Sequence, residues 1–164
     1  MGLSVTISAA DARDAEHILK LQYLCYQSEA ELYGDWSIEP LTQTLDALRA
    51  ELAEGYGLVA RLGDEVVASV RARLDEDGTV RIAKLIVHPR MQRHGLGTRL
   101  LDGIERHYGS GAEQLPEVPA KRFQLFTGHR SEVNLRLYRS RGYEQVSTRE
   151  IGPRITLVTL EKAA

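Results

Sequence analysis

The stretch Leu85-Ile86-Val87-His88-Pro89, followed by Gln92-Arg93-His94-Gly95-Leu96-Gly97-Thr98, decides the architecture of this chain. Its first three residues are continuously apolar, the pattern of a strand end buried on both faces. The strand runs from about Val80 to Val87, and Pro89 stops it. From Gly95 onward, Leu96, Leu100, Ile104 and Tyr108 fall on one helical stripe. A buried strand therefore feeds a helix through a glycine-rich turn. Such a turn can hold phosphate with its backbone, because the unpaired N–H groups of a helix start point outward along the helix dipole. Glycine lets the chain pass close to a ligand, and Arg90, Arg93 and Arg99 add charge nearby. The same residues would also serve a plain strand-to-helix turn with surface arginines. Two nucleotide motifs are excluded. The third glycine of a dinucleotide fingerprint would fall at Leu100, and no Gly-Lys-Ser/Thr of a P-loop follows.

Upstream, Val5 and Ile7 alternate as in a first strand. Asp11 is placed to cap a helix carrying Ile18, Leu21, Cys25 and Leu32 on one face. A turn-like stretch, Gly34 to Pro40, precedes Leu41, Leu45, Leu48 and Leu52 at helical spacing, and Gly55 closes that helix. Leu58, Ala60 and Leu62 alternate, Gly63-Asp64 marks a hairpin, and Val66 to Leu74 alternates again. Asp77-Gly78 turns the chain into the strand already described. Downstream, residues Gly109 to Pro119 read as a loop. A strand is expected over Arg122 to Thr127 and a helix over Ser131 to Arg141. Two last strands cover Tyr143 to Thr148 and Ile155 to Leu160. The result is an α/β (α+β) fold with a mixed sheet and helices on both faces, as one domain over residues 1–164.

Length and composition agree with one core: 164 residues, 43% apolar and 27% charged. The formal charge of -2 gives no bulk attraction to nucleic acid. No apolar run reaches membrane-spanning length. Met1 to Ser8 lacks a basic region followed by an apolar one, so no secretory signal is expected. Met1-Gly2 with Thr6 fits the loose myristoylation pattern, but no basic cluster follows and a first strand is the favoured reading. Cys25 is the only cysteine, which excludes an intrachain disulfide and suits a cytoplasmic location. No metal site is expected, since His88 and His94 lack ligand spacing. No Gly-x-Ser-x-Gly elbow of a hydrolase is present. Charge is uneven: Asp11 to Glu54 holds ten acidic and three basic residues, whereas Lys121 to Arg149 holds seven basic and two acidic ones. That asymmetry suits a protein binding a cation at one place and an anion at another.

Gln92-x-x-Gly95-x-Gly97 resembles the acetyl-CoA-binding motif of the GNAT superfamily of acetyl-CoA-dependent N-acetyltransferases. About forty residues on, Asn134-Leu135-Arg136-Leu137-Tyr138-Arg139-Ser140-Arg141-Gly142-Tyr143 resembles the family's later motif, Asn…Leu-Tyr-x-x-x-Gly-Phe/Tyr. The element order agrees over nearly the whole chain. The resemblance implies a mostly antiparallel sheet of about six to seven strands. It implies backbone contacts to the pantetheine arm from Leu85, Ile86 and Val87, and a pyrophosphate cradle at Arg93, His94, Gly95, Leu96, Gly97 and Thr98. It implies that Tyr138 lies near the cofactor sulfur, where a phenol holds its proton at neutral pH and can give it to a departing thiolate. A backbone N–H near Ile86 would stabilise the oxyanion. The family's asparagine often lies seven residues before the tyrosine. That position is Ser131, while Asn134 lies four before, so either could touch the cofactor.

Many members carry a glutamate on the strand that here reads Arg81-Ile82-Ala83-Lys84, and none is present. The base for the incoming amine is therefore open among Glu29, Glu31, His129 and a water chain. The segment bearing Glu29, Glu31, Tyr33 and Trp36 would border the acceptor, which suggests a small cationic amine. The alternatives are a protein N-terminal or lysine acetyltransferase and a non-catalytic acyl-CoA-binding regulatory domain. A homodimer is the family habit.

Overall fold

The computed structural model describes residues 4–109 and 119–164. Most of the Gly109–Pro119 loop and the Met1-Gly2 pair of the myristoylation pattern lie outside them. Among the described residues seven strands form one sheet: β1 (Val5–Ala9), β2 (Tyr56–Leu62), β3 (Glu65–Leu74), β4 (Thr79–Val87), β5 (Arg122–Gly128), β6 (Glu144–Glu150) and β7 (Thr156–Ala163). Their order is β1-β2-β3-β4-β5-β7-β6, and only β4 and β5 run parallel. Among the described residues six α-helices accompany them: α1 (Ala15–Cys25), α2 (Gln27–Tyr33), α3 (Glu39–Thr42), α4 (Leu45–Glu54), α5 (Leu96–Tyr108) and α6 (Glu132–Ser140).

The helices cover opposite faces of the sheet. Leu96, Leu100, Leu101 and Ile104 of α5, with Leu135 and Tyr138 of α6, pack on Leu58, Ala68, Val70, Ile82 and Leu125. On the other face Ala15, Ile18 and Leu21 of α1 and Leu48 of α4 meet Val59, Val66 and Ile86. Ile82 and Ile86 thus belong to different cores, although a regular strand turns residues four apart to one face. The reason is a bulge. Ser69 pairs with Ile86 and Arg71 with Ala83, so the single residue Val70 opposes both Lys84 and Leu85. Lys84 takes a left-handed backbone, φ 57°. Leu85 and Val87 then pack toward the α5 core while Ile86 enters the α1 core, which explains the continuous apolar run.

Two expected helices are broken where local hydrogen bonding wins. Asp11 accepts the Arg13 N–H and forms a reciprocal cap with Asp14. The helix that follows stops at Tyr26, and a separate α2 leaves Leu32 37% exposed rather than on the α1 stripe. The leucine run divides at extended Gln43, after which the Thr44 hydroxyl caps α4 by accepting the Ala47 N–H. Only Leu48 of those four leucines is fully buried. Gln43 earns its place in a buried network instead. Its Oε1 accepts from Gln22 Nε2 at 2.9 Å and from Arg71 Nη2 at 3.1 Å, and Arg71 Nε donates to Glu51 at 2.6 Å.

Candidate active site

β4 and β5 pair over three positions only, from Thr79 with Arg122 to Arg81 with Gln124. Beyond that the bulged β4 and the straight β5 diverge. The fork between them opens into a cleft of about 810 Å³. Backbone groups on the fork side of β4 lose their neighbouring strand there, and β-strands leave such groups to other partners. His88 N–H bonds to Val67 C=O at 2.8 Å, so strand alternation turns the neighbouring Val87 backbone toward the fork. Val87 C=O accepts the Cys25 thiol at 3.4 Å.

The cleft is walled by Tyr26, Glu29 and Tyr33, by the segment from Gly34 to Pro40, and by Lys84 and Leu85. Phe126 and Thr127 of β5, Asn134 and Tyr138 of α6, and the β6–β7 connection from Ile151 to Ile155 complete it. Tyr138 is buried, and two effects hold its proton: burial first, then the negative charge of Glu29. Both push its pKa well above the usual phenol range. Tyr26 is shifted upward in the same way, by burial and then by Tyr138 and Glu29.

Glu29 is held from below. Ser131 Oγ donates to Glu29 Oε2 at 2.8 Å. The serine has one hydroxyl proton, so its 2.8 Å contact with Tyr33 is a bond donated by the tyrosine. Tyr33 in turn accepts the Arg130 N–H at 2.9 Å. The chain Arg130 N–H, Tyr33, Ser131, Glu29 is therefore oriented in one direction and ends on the carboxylate in the cleft. Gly128 is required beside it, since a Cβ there would collide with the Tyr33 hydroxyl.

Past the C-terminal end of β4, the end at which the fork opens, lies the glycine turn. Gly95 starts α5 with φ 75°, and no side chain caps the helix. The first intrahelical bond joins Arg99 N–H to Gly95 C=O at 3.0 Å, which leaves the N–H groups of Leu96, Gly97 and Thr98 ahead of it. Arg93 is also left-handed, φ 71°. Among the described residues neither Arg93 nor Arg99 enters an ion pair, whereas Arg90 is held by Glu65 at 3.0 Å. This arrangement suits a polyphosphate anion. Gly97 has a further reason. A Cβ there would meet Leu137 Cδ2 at 3.2 Å, so the missing side chain also lets α5 approach α6 closely.

The structure divides the residues singled out in the sequence. Leu85, Asn134, Tyr138 and Glu29 meet at the cleft. Ile86 and Val87 continue β4 from it, and residues 93–98 form the separate turn. Ser131 lies buried beneath, its hydroxyl engaged by Glu29, while the Asn134 amide lines the cleft and donates to Thr127 Oγ1 at 3.3 Å. Glu31 and Trp36 do not line the cleft, and Trp36 is 57% exposed. The helical register of α2 explains this: with Glu29 and Tyr33 turned inward, four residues apart, Glu31 faces away. His129 has Nδ1 occupied by the Thr156 N–H at 3.1 Å. Sequence reasoning missed Tyr26, Lys84 and Phe126. For Phe126 a signal existed, since Phe123, Leu125 and Thr127 take one face of β5 and leave an aromatic on the other. Lys84 Nζ, where a glutamate had been sought, pairs with Glu39 at 3.0 Å and Glu51 at 3.7 Å.

Among the described residues no helix is long and apolar enough to cross a membrane, and no group of His, Cys, Asp or Glu is placed to hold a metal. A model of the acetyltransferase (GNAT) family matches residues 16–143. No curated protein matches the sequence. The fold is similar to the PaiA N-acetyltransferase of Thermoplasma acidophilum in complex with coenzyme A, with a TM-score of 0.76, 14% identity and coverage of 98% of this chain and 99% of that one. It is similar to the ribosomal-protein-S18-alanine N-acetyltransferase of Escherichia coli, with a TM-score of 0.75, 14% identity and coverage of 98% and 94%. It is also similar to yncA of Salmonella typhimurium with its cofactor acetyl-CoA, with a TM-score of 0.71, 19% identity and coverage of 97% and 93%.

Proposed function

The chain belongs to the GNAT family of acetyltransferases, and from that premise we propose that it moves the acetyl group of acetyl-CoA onto a primary amine by direct attack. The acceptor is a small cationic molecule. The observation that carries this reading is the cleft at the β4–β5 fork, in which a proton-holding Tyr138 and the carboxylate of Glu29 face one space. The coenzyme A and acetyl-CoA complexes of similar fold support the choice of cofactor.

In this reading the backbone of Leu85, Ile86 and Val87 lies along the pantetheine arm, with Val87 presenting its N–H to the fork. Residues Arg93 to Thr98 hold the pyrophosphate through the uncapped start of α5. Asn134 rather than Ser131 turns to the cofactor, because Ser131 spends its proton on Glu29. Glu29 takes one proton from the acceptor's ammonium. The freed amine forms an N–C bond to the acetyl carbon as the C–S bond breaks. Nitrogen releases a second proton and sulfur gains one, donated through Tyr138. The products are an amide, coenzyme A thiol and one proton. The fold acts as a single domain over residues 1–164, in the cytoplasm.

The test is thiol release from acetyl-CoA across a panel of amines with the purified protein. Release with at least one amine supports the reading. A thermal shift with acetyl-CoA but no release with any amine would instead favour an acyl-CoA-binding regulatory domain.

A further inference from the structure

We propose that the acceptor is a monoamine on an apolar, aromatic body, and that Phe126 is the residue setting this preference. The inference rests on the acetyl-transfer reading above and names the substrate class for that same cleft.

The charges facing the cleft argue for one ammonium rather than several. Three carboxylates line it: Glu29, Asp35 and Glu39. Asp35 Oδ1 accepts both the N–H and the hydroxyl of Ser37, at 2.9 and 2.6 Å, which ties this carboxylate to its own loop. Glu39 is paired with Lys84 at 3.0 Å. Glu29 gives one oxygen to Ser131 and keeps Oε1 without a protein partner among the described residues. Two cations, Lys84 and Arg154, line the same space. The lining thus sets three carboxylates against two cations, a net charge of -1 that one ammonium balances and a polycation overshoots. A single ammonium finds its partner in Glu29.

The rest of the wall is apolar and uncovered. Phe126 is 57% exposed on a central strand, and Ile151, which lines the same cleft, is 50% exposed. Ile38, Pro40 and Leu157 line the same space. An aromatic on the inner strand of a sheet is normally covered by a helix, as Phe123 and Leu125 are on the opposite face. At Phe126 the position of a covering element is taken by the cleft itself, which Tyr138 also lines. Binding sites of this size join an apolar wall to a few placed polar groups, and the ligand's own body supplies the cover. An aromatic body stacked on Phe126, with its amine reaching Glu29, meets both conditions.

The experiment compares kcat/KM for 2-phenylethylamine, ethanolamine and spermidine in the parent protein and in Phe126→Ala and Phe126→Leu. The expected result is that 2-phenylethylamine leads the other two by tenfold or more. Phe126→Ala should lower the ratio of 2-phenylethylamine to ethanolamine roughly tenfold, chiefly through the amine KM, as loss of about one buried aromatic contact predicts. Phe126→Leu should restore most of it. Because Phe126 is exposed, thermal denaturation should find both variants folded. Leadership by spermidine or ethanolamine overturns the proposal, as does an unaltered ratio in Phe126→Ala. Absence of turnover on every amine, with no acetyl-CoA thermal shift, removes the underlying reading and this one with it.

Discussion

The Ser131 hydroxyl donates to Glu29 at 2.8 Å, joining the first turn of α6 to α2 across 102 positions of sequence. Both ends matter. Ser131 also receives the Tyr33 proton, and both residues are buried. Ser131→Ala should therefore leave a buried phenol without an acceptor and a carboxylate without its anchor. We expect a stability loss of about 1–3 kcal/mol by urea titration. Turnover should fall by roughly tenfold, since an unanchored base spends less time in position. Ser131→Thr, which keeps the hydroxyl, should recover most of both. If Ser131→Ala turns over at the parent rate, the chain that ends on Glu29 serves structure alone.

The start of α5 yields a prediction about the cofactor. Arg93 and Arg99 flank its uncapped N–H groups, and neither is held by a carboxylate among the described residues. Arg93→Asn with Arg99→Gln removes both charges, and asparagine tolerates the left-handed backbone at position 93. Acetyl-CoA should bind roughly tenfold or more weakly, and its salt dependence should flatten. Isothermal titration at two ionic strengths measures both. An unchanged Kd would move the pyrophosphate away from this turn.

Alkaline stability follows from the phenols. Burial raises Tyr26, Tyr138 and Tyr143, raises Tyr56, and pushes Tyr108 up to about 12, while burial also lifts Cys25 to about 11. The folded protein thus holds these protons more tightly than the unfolded chain, whose phenols titrate near 10. Their contribution is complete below the unfolded values and is lost as pH rises through the folded ones. Urea midpoints should stay level from neutrality to about pH 8, begin to fall from about pH 8.5 as the unfolded thiol titrates, and fall more steeply from about pH 10 as the unfolded phenols do. A midpoint that stays level to pH 11 would show these phenols to be solvated.

Much of this was legible before any coordinates. All seven strands were expected, and alternation placed those between Val5 and Leu74, because such a pattern records which face is buried. Tyr138, Leu85 and the 95–97 turn were legible from motif spacing. The bulge at Lys84 was not, since no local pattern marks a lysine for φ 57°. With it went the reason that Ile82 and Ile86 face opposite cores. The division between Glu29 and Glu31 depended on the break at Tyr26, which sets the register of α2 independently of α1. Gln43 and Arg71 were invisible for another reason: their partners come from α1, α4 and β3, and only tertiary packing brings those together.

Tyr138 offers the sharpest test of the chemistry. Its hydroxyl is not hydrogen-bonded to any protein group among the described residues, and it faces the cleft. Tyr138→Phe therefore removes no partner and opens no cavity, so stability should change by less than about 1 kcal/mol. That separates folding from function. Burial and Glu29 raise the phenol's pKa, which keeps it protonated at neutral pH but makes it a weaker acid than free tyrosine. Its help to the leaving sulfur is then a hydrogen bond made as negative charge develops, with the proton passing over as the C–S bond breaks. Such help acts in the transition state and adds nothing to cofactor binding. We expect Tyr138→Phe to lower kcat by roughly one hundredfold while the acetyl-CoA KM stays within about twofold. The parent's rate should show no alkaline fall from tyrosine ionisation below about pH 10. Steady-state kinetics across pH, on both proteins with the best amine of the panel, decides the matter. A variant with the parent's kcat would mean that the thiolate departs without a proton, or that another group supplies it.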